Sequence, residues 1–131
     1  MDAEAMAVRC PTAHLIDVGI LPRHIFQINT HGVATVIWTG EAYDYVVGVL
    51  WKLAQEDERM LDVFEGLGYA YCKRTVPIER KDGNVSRSMI YQAIDSRIGR
   101  PKNGYLEDVI GAAQDHQFPH IYIERLKEWK A

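Results

Sequence analysis

The chain has 131 residues, 47% of them hydrophobic, enough for one compact domain over 1–131 with a sizeable core, and no stretch is long and apolar enough to span a bilayer. Its net charge of -3, with both signs scattered along the sequence, builds no field for a polyanion; nucleic acid and membrane surfaces are therefore excluded as partners, and a small ligand is favoured. Cys10 and Cys72 stand far apart, form no CxxC pair and follow no leader-like segment, so they read as reduced thiols of a cytoplasmic protein.

In chain order, Asp2 to Val8 predicts a short opening helix that stops at Arg9-Cys10-Pro11, since proline cannot continue the helical bonding and restricts the residue before it. A strand-rich half follows. Ala13 to Ile20, Arg23 to Asn29, Val33 to Trp38 and Tyr45 to Leu53 are β-branched or aromatic runs, broken by Leu21-Pro22, His31-Gly32 and Gly40. Four strands in such close succession predict an antiparallel sheet or barrel. Gln55 to Glu65 then places Glu56, Asp57 and Glu58 in a first helical turn, where negative charge complements the dipole, and Met60, Leu61 and Phe64 at helical spacing.

Beyond this helix, Tyr71 to Arg80 and Val85 to Ala93 alternate as a hairpin across Lys81-Asp82-Gly83-Asn84, whose Asp-Gly step supplies a positive φ. Lys73, Arg74, Arg80, Lys81 and Arg87 belong to this hairpin and read as a solvated face mixed with Glu79 and Asp82 rather than as a phosphate site. Residues 97–103 form a loop. Two helices end the chain, Gly104 to His116 and Pro119 to Trp129, with Pro119 at the first helical position of the second.

The candidate for chemistry is Glu65, in the run Leu61-Asp62-Val63-Phe64-Glu65-Gly66. Gly66 suits the left-handed position just past a helix end, which puts Glu65 in the last turn, four residues after Leu61 and on the same face. A carboxylate there meets the negative end of the helix dipole and partial desolvation. Both raise its pKa, which suits a general acid/base near neutral pH. The same position also reads as a solvated helix-end glutamate, with Asp62 as an equally ordinary neighbour. Tyr69, Tyr71 and Tyr105 are core tyrosines by default, with a pocket around Glu65 as the functional alternative.

Other motifs fall away. The histidines show no metal-ligand spacing that converges, because Pro119 lies between His116 and His120, so no metal is expected. The serines lack a nucleophile elbow, Cys72 reads as a small filler in a strand, and Gly66-Leu67-Gly68 follows a helix, the wrong context for a dinucleotide fingerprint.

Along nearly its full length the sequence resembles the γ-glutamylcyclotransferase family, including its plant-type AIG2-like branch. The resemblance is carried by Met6 with Arg9-Cys10-Pro11, by Gly32-Val33-Ala34-Thr35-Val36, by Val47-Gly48-Val49-Leu50-Trp51-Lys52-Leu53 and by Leu61 to Gly66 with Tyr71 and Arg74. Tyr105-Leu106 and Gly111-Ala112-Ala113 to Phe118-Pro119 complete it. It implies an α+β fold, a small mixed β-barrel flanked by short helices, and an enzyme that cyclises a γ-glutamyl group to 5-oxoproline with release of an amine or amino acid. It further implies Glu65 as the catalytic acid, Tyr71 and Tyr105 as substrate-binding tyrosines, and no cofactor.

Family members begin with an apolar strand and a Tyr-Gly-Ser-Asn loop that holds the substrate and the developing oxyanion. Neither is found ahead of Met1, so the first strand is expected to be missing, through a start set downstream or through a natural form that pairs its exposed sheet edge in a homodimer. The first cause is favoured. Because one oxyanion donor is worth on the order of a hundredfold in rate, the alternative function is a non-catalytic small-molecule-binding or interaction domain of the same fold.

Overall fold

The computed structural model describes Met6, Cys10 and residues 12–130; the predicted opening helix over Asp2 to Val8, Met6 excepted, lies outside the described residues, as do Arg9 and Pro11. The elements are β1 (His14–Pro22), β2 (His24–Ile28), β3 (Ala34–Trp38), β4 (Tyr45–Lys52), α1 (Gln55–Phe64), β5 (Tyr71–Arg80), β6 (Val85–Ala93), α2 (Tyr105–Asp115) and α3 (His120–Lys127). All the predicted elements from β1 onward are present, with ends shifted by at most two residues. Pro119 stands one position earlier than expected, as the extended residue that precedes α3 (φ -52°, ψ 136°).

The strands form a mixed α+β fold of open antiparallel sheets, one of four strands in the order β4-β1-β5-β6 and one of two, β2-β3. They do not close into the expected barrel. Two features keep them open. At Arg23, in the left-handed region (φ 63°), the chain turns out of β1 into the separate β2-β3 ribbon. The seam between β1 and β5 holds only the pairs Gly19 with Arg80 and Ile20 with Glu79. Gly19 allows this approach, because a Cβ there would come within 2.5 Å of Ile78 Cγ2.

The β5-β6 hairpin follows the sequence prediction residue for residue, from Tyr71 opposite Ala93 to Glu79 opposite Val85. Its turn is closed by the Arg80 N–H donating to Asn84 O at 2.8 Å, with Gly83 at φ 85°.

Three apolar clusters hold the elements together. Leu21, Val46, Val76 and Ile78 fill the space between the two sheets, with Phe26 and Val36 against them. Val47 meets Ala113, Tyr122, Ile123 and Leu126, which seats α2 and α3 on β4. Leu61 joins Met6 and Cys10, with Trp51, Leu53 and Tyr91 partly covering them. Burying a leucine of this kind contributes about 2 kcal/mol, and Leu61 is the one buried apolar side chain of α1. At the other end of the helix, the buried Asp57 accepts from the Ala54 N–H at 3.1 Å and from Thr12 Oγ1 at 2.5 Å, which caps the first turn.

Candidate functional site

Glu65 occupies the C-cap of α1 (φ -80°, ψ -5°), and the chain turns sharply after it. The Gly66 N–H donates to Val63 O at 3.2 Å and the Leu67 N–H to Asp62 O at 3.0 Å, the pair of bonds that defines a Schellman ending. Gly66 takes φ 65° there, and a Cβ would meet the Tyr69 ring at 2.9 Å, so both conformation and space require glycine. The Gly66 carbonyl then accepts from the N–H groups of Tyr69, Ala70 and Tyr71, which folds residues 66–71 into a tight knot leading into β5. Glu65 is half-buried, four residues after the buried Leu61.

Three tyrosines from three elements lie within reach of the charge of this carboxylate. Tyr71 opens β5, Tyr105 opens α2, and Tyr91 lies in β6. Burial raises the phenol pKa of each, and the charge of Glu65 adds to the rise in all three, so all share its electrostatic surroundings. The Tyr71 phenol is pushed up to about 12, by desolvation first and then by Tyr105 and Glu65. The Tyr105 hydroxyl accepts from the Ala34 N–H at 3.0 Å, which ties α2 to β3, and the Lys102 ammonium lies 5.6 Å from the centre of its ring. Tyr69, also expected at this pocket, is 80% exposed and stands with Tyr71 at the wall of the cavity described below.

Glu65 and Asp62, alike in sequence, have different surroundings. Asp62 is engaged on both oxygens: the Lys73 ammonium lies 2.7 Å from Oδ1 and donates to Oδ2 at 2.9 Å, and the Tyr91 hydroxyl donates to Oδ1 at 2.5 Å. The Lys73 hydrogen bond, then that of Tyr91, holds the Asp62 carboxyl below its ordinary range. Lys73 also reaches Glu58 at 3.3 Å. This group of Glu58, Asp62, Lys73 and Tyr91 fastens the C-terminal end of α1 to the β5-β6 hairpin. From the sequence Lys73 is expected on a solvated face, whereas it is held between Glu58 and Asp62; the i, i+4 spacing of these two acids on one helix face is the local signal of such a partner.

Beside Tyr71 opens a cavity of about 630 Å³ whose walls include Asn29, His31, Asp95, Ser96 and Arg97. Tyr71 is thus common to the cavity and to the surroundings of Glu65. Its far wall, residues 95–99, is laced to the end of β2 by buried amides. Gln27 Nε2 donates to Ser96 O at 2.7 Å, Asn29 Nδ2 to Asp95 O at 3.2 Å, and the Gly99 N–H to Ile28 O at 2.9 Å. None of these residues stood out in the sequence, since the contacts span more than sixty positions.

The features set aside from sequence stay apart. Cys72 Sγ packs against Gln92 O at 3.6 Å within the hairpin, and His116 stacks edge-on with Trp51 at 6.4 Å while His120 faces Glu124 at 3.9 Å. Among the described residues no three His, Cys, Asp or Glu side chains group as metal ligands, and no helix is long and apolar enough to cross a membrane.

Residues 45–126, more than half of the chain and including Glu65, Tyr71 and Tyr105, match the family model described as the AIG2-like family. The chain belongs to the AIG2-like family. This AIG2-like chain is similar in fold to a solved structure described as gamma-glutamyl cyclotransferase, with a TM-score of 0.88 at 22% identity over 98% of this chain and 82% of that one. A human protein described as uncharacterized superposes with a TM-score of 0.86 at 23% identity, covering 97% of this chain and 80% of that one. The Bacillus subtilis protein YkqA gives 0.75 at 16% identity over 87% of this chain and 43% of its own. No curated protein sequence matches significantly. At these identities the likenesses bear on the fold, which is of cyclotransferase type.

Proposed function

We propose that this AIG2-like protein is a γ-glutamyl cyclotransferase in which Glu65 moves the proton. The observation that carries the reading is the turn at Gly66, which sets the half-buried Glu65 at the end of α1 and leads straight into Tyr71 at a cavity wall, with the charge of Glu65 felt by Tyr71 and Tyr105. In the proposed reaction the Glu65 carboxylate accepts a proton from the α-ammonium of a γ-glutamyl substrate. The freed amine attacks the γ-carbonyl carbon of the same molecule, Glu65 returns its proton to the leaving nitrogen as the bond from that carbon to it breaks, and the second proton shed by the attacking nitrogen as it becomes the lactam N–H passes to the departing amine, which leaves as an ammonium. The products are 5-oxoproline and an amine or amino acid.

Nucleophile and electrophile belong to one molecule, so holding the substrate folded supplies much of the acceleration, and no cofactor enters. Tyr71, a phenol neutral at pH 7 and pushed further up by burial, is suited to donate a hydrogen bond to the carbonyl oxygen as negative charge builds there. The fold likeness to a protein described as gamma-glutamyl cyclotransferase supports the same reading.

The test is Glu65→Gln, which keeps size and removes proton transfer. Formation of 5-oxoproline from a panel of γ-glutamyl dipeptides and γ-glutamylamines should fall by a hundredfold or more while the unfolding midpoint stays near that of the parent. Equal turnover in parent and variant would remove Glu65 from the mechanism. Exposed apolar side chains at the site, Val63 and Tyr69 at 80% and Phe64 at 56%, favour a second reading as a non-catalytic small-molecule-binding domain. Under that reading the panel binds and releases no 5-oxoproline.

A further inference from the structure

We infer that the cavity beside Tyr71 receives a carboxylate carried by the departing amino acid, and that Arg97 selects for it; this deepens the cyclotransferase reading and rests on it for the name of the leaving group. The cavity, about 630 Å³, is large enough for a substrate with a side group beyond the reacting glutamyl portion. What it offers a ligand follows from counting donors and acceptors on its ionic wall.

Asp95 is saturated by its own chain. Its Oδ1 accepts from the Arg97 N–H at 3.1 Å and from Arg97 Nε at 2.9 Å, while Oδ2 accepts from Thr30 Oγ1 and lies 3.7 Å from His31 Nε2. These bonds, the one from Arg97 first, hold its carboxyl well below the usual range, so it stays ionised and occupied. Arg97 is the reverse case. A guanidinium carries five N–H donors, of which Nε–H goes to Asp95 and one on Nη2 to Thr30 Oγ1 at 3.3 Å. Three remain without a partner among the described residues, on a side chain 75% exposed at the cavity wall. His31, exposed at the same wall, adds a further ring nitrogen. In a chain of net charge -3, this wall presents the unpartnered donors of a guanidinium and no free acid, which is the chemistry of carboxylate recognition.

The wall is also rigid. Gln27 and Asn29, 8% and 1% exposed, tie down the backbone just before Arg97, and after it the Gly99 N–H is held by Ile28 O at 2.9 Å, where a Cβ would come within 2.2 Å of Asn29 O. Asp95 then fixes the guanidinium plane. The donors are therefore held in place before a ligand arrives, which lowers the entropy lost on binding.

The probes are γ-glutamylalanine and γ-glutamylethylamine, which differ by the leaving-group carboxylate and share the α-carboxylate. In calorimetric titrations of the full chain carrying Glu65→Gln, γ-glutamylalanine should bind about tenfold or more tighter. Adding Arg97→Gln should bring the two affinities within about twofold, and Arg97→Lys should restore part of the difference, with far-UV circular dichroism confirming the fold of each variant. Binding of neither probe, a preference that survives Arg97→Gln, or an equal loss for both probes would overturn the inference, the last because it would place Arg97 on the α-carboxylate or in the scaffold. Turnover of the parent chain separates the two readings. An Arg97-dependent affinity difference without 5-oxoproline leaves the carboxylate site standing and removes cyclisation, whereas 5-oxoproline formed with no Arg97-dependent preference does the opposite.

Discussion

The Tyr91 hydroxyl donates to Asp62 Oδ1 at 2.5 Å, joining the middle of β6 to the last turn of α1 three residues before Glu65. Along its length α1 buries only Leu61 and Asp57, so the group formed by Tyr91, Asp62 and Lys73 is what fixes the direction in which the helix end points. Tyr91→Phe keeps the ring in its apolar surroundings and removes that one donor. In the proposed reaction kcat should fall between about tenfold and a hundredfold, with a smaller change in KM, because a misplacement of about 1 Å at the reacting group is enough for such losses. Steady-state kinetics on a γ-glutamyl dipeptide would check it, and an unchanged kcat would show that α1 is held by other contacts.

Tyr105→Phe acts on a different joint. The phenol accepts from the Ala34 N–H at 3.0 Å, and without it that half-buried amide loses its bond from α2 to β3. The expected cost is about 1–2 kcal/mol of stability, read from chemical denaturation, together with a decline in turnover. A variant as stable as the parent would mean that water replaces the phenol oxygen.

Gly66→Ala probes the Schellman ending. At φ 65° an L side chain is strained by about 1–2 kcal/mol, and the added Cβ would press on Tyr69 Cε2 at 2.9 Å. The variant should lose at least that much stability, and turnover should fall with it, because the knot that aims Tyr71 and Glu65 is built on the Gly66 carbonyl. Thermal unfolding and 5-oxoproline release, measured side by side, test both parts.

Stability should decline at both ends of the pH scale, for opposite reasons. Asp62 and Asp95 are held below the ordinary carboxylate value of 3.8 by Lys73 and Arg97 respectively, so each binds its proton less readily folded than unfolded. Their contribution is present above the unfolded pKa and is lost as pH falls through the folded one, so the acid limb should begin below about pH 4. Tyr71 and Tyr122 behave in the other sense, raised by burial from 10 to about 12. Their contribution is complete below pH 10 and is lost as pH rises through the folded pKa near 12. Denaturation midpoints across the pH range, repeated for Asp95→Asn and Tyr71→Phe, should show each limb flatten in its own variant.

Much of the fold was legible because it is local. The β5-β6 hairpin came out at the predicted residues, since alternation and an Asp-Gly turn need no distant partner. The same holds for the end of α1: Gly66 terminates the helix by its own conformational freedom, and Glu65 stands just before it at the C-cap. Strand order was not legible. β1 pairs with β4 and β5 and leaves β2 and β3 to each other, a choice made by which apolar faces meet and by the left-handed turn at Arg23.

By itself, then, the sequence determined the elements, the glycine-capped turn and the acid that stands before it, because periodicity, capping and turn chemistry act over a few residues. Only the tertiary structure decided that Asp62 is tied to Lys73 and Tyr91, that the Ala34 amide meets Tyr105 across seventy-one positions, and that Arg97, bonded to Thr30, stands with His31 at one cavity. These pairings join charges and polar groups far apart in the chain, and their partners are selected by the packing of β2, β5, β6 and α2, which no local pattern of residues records.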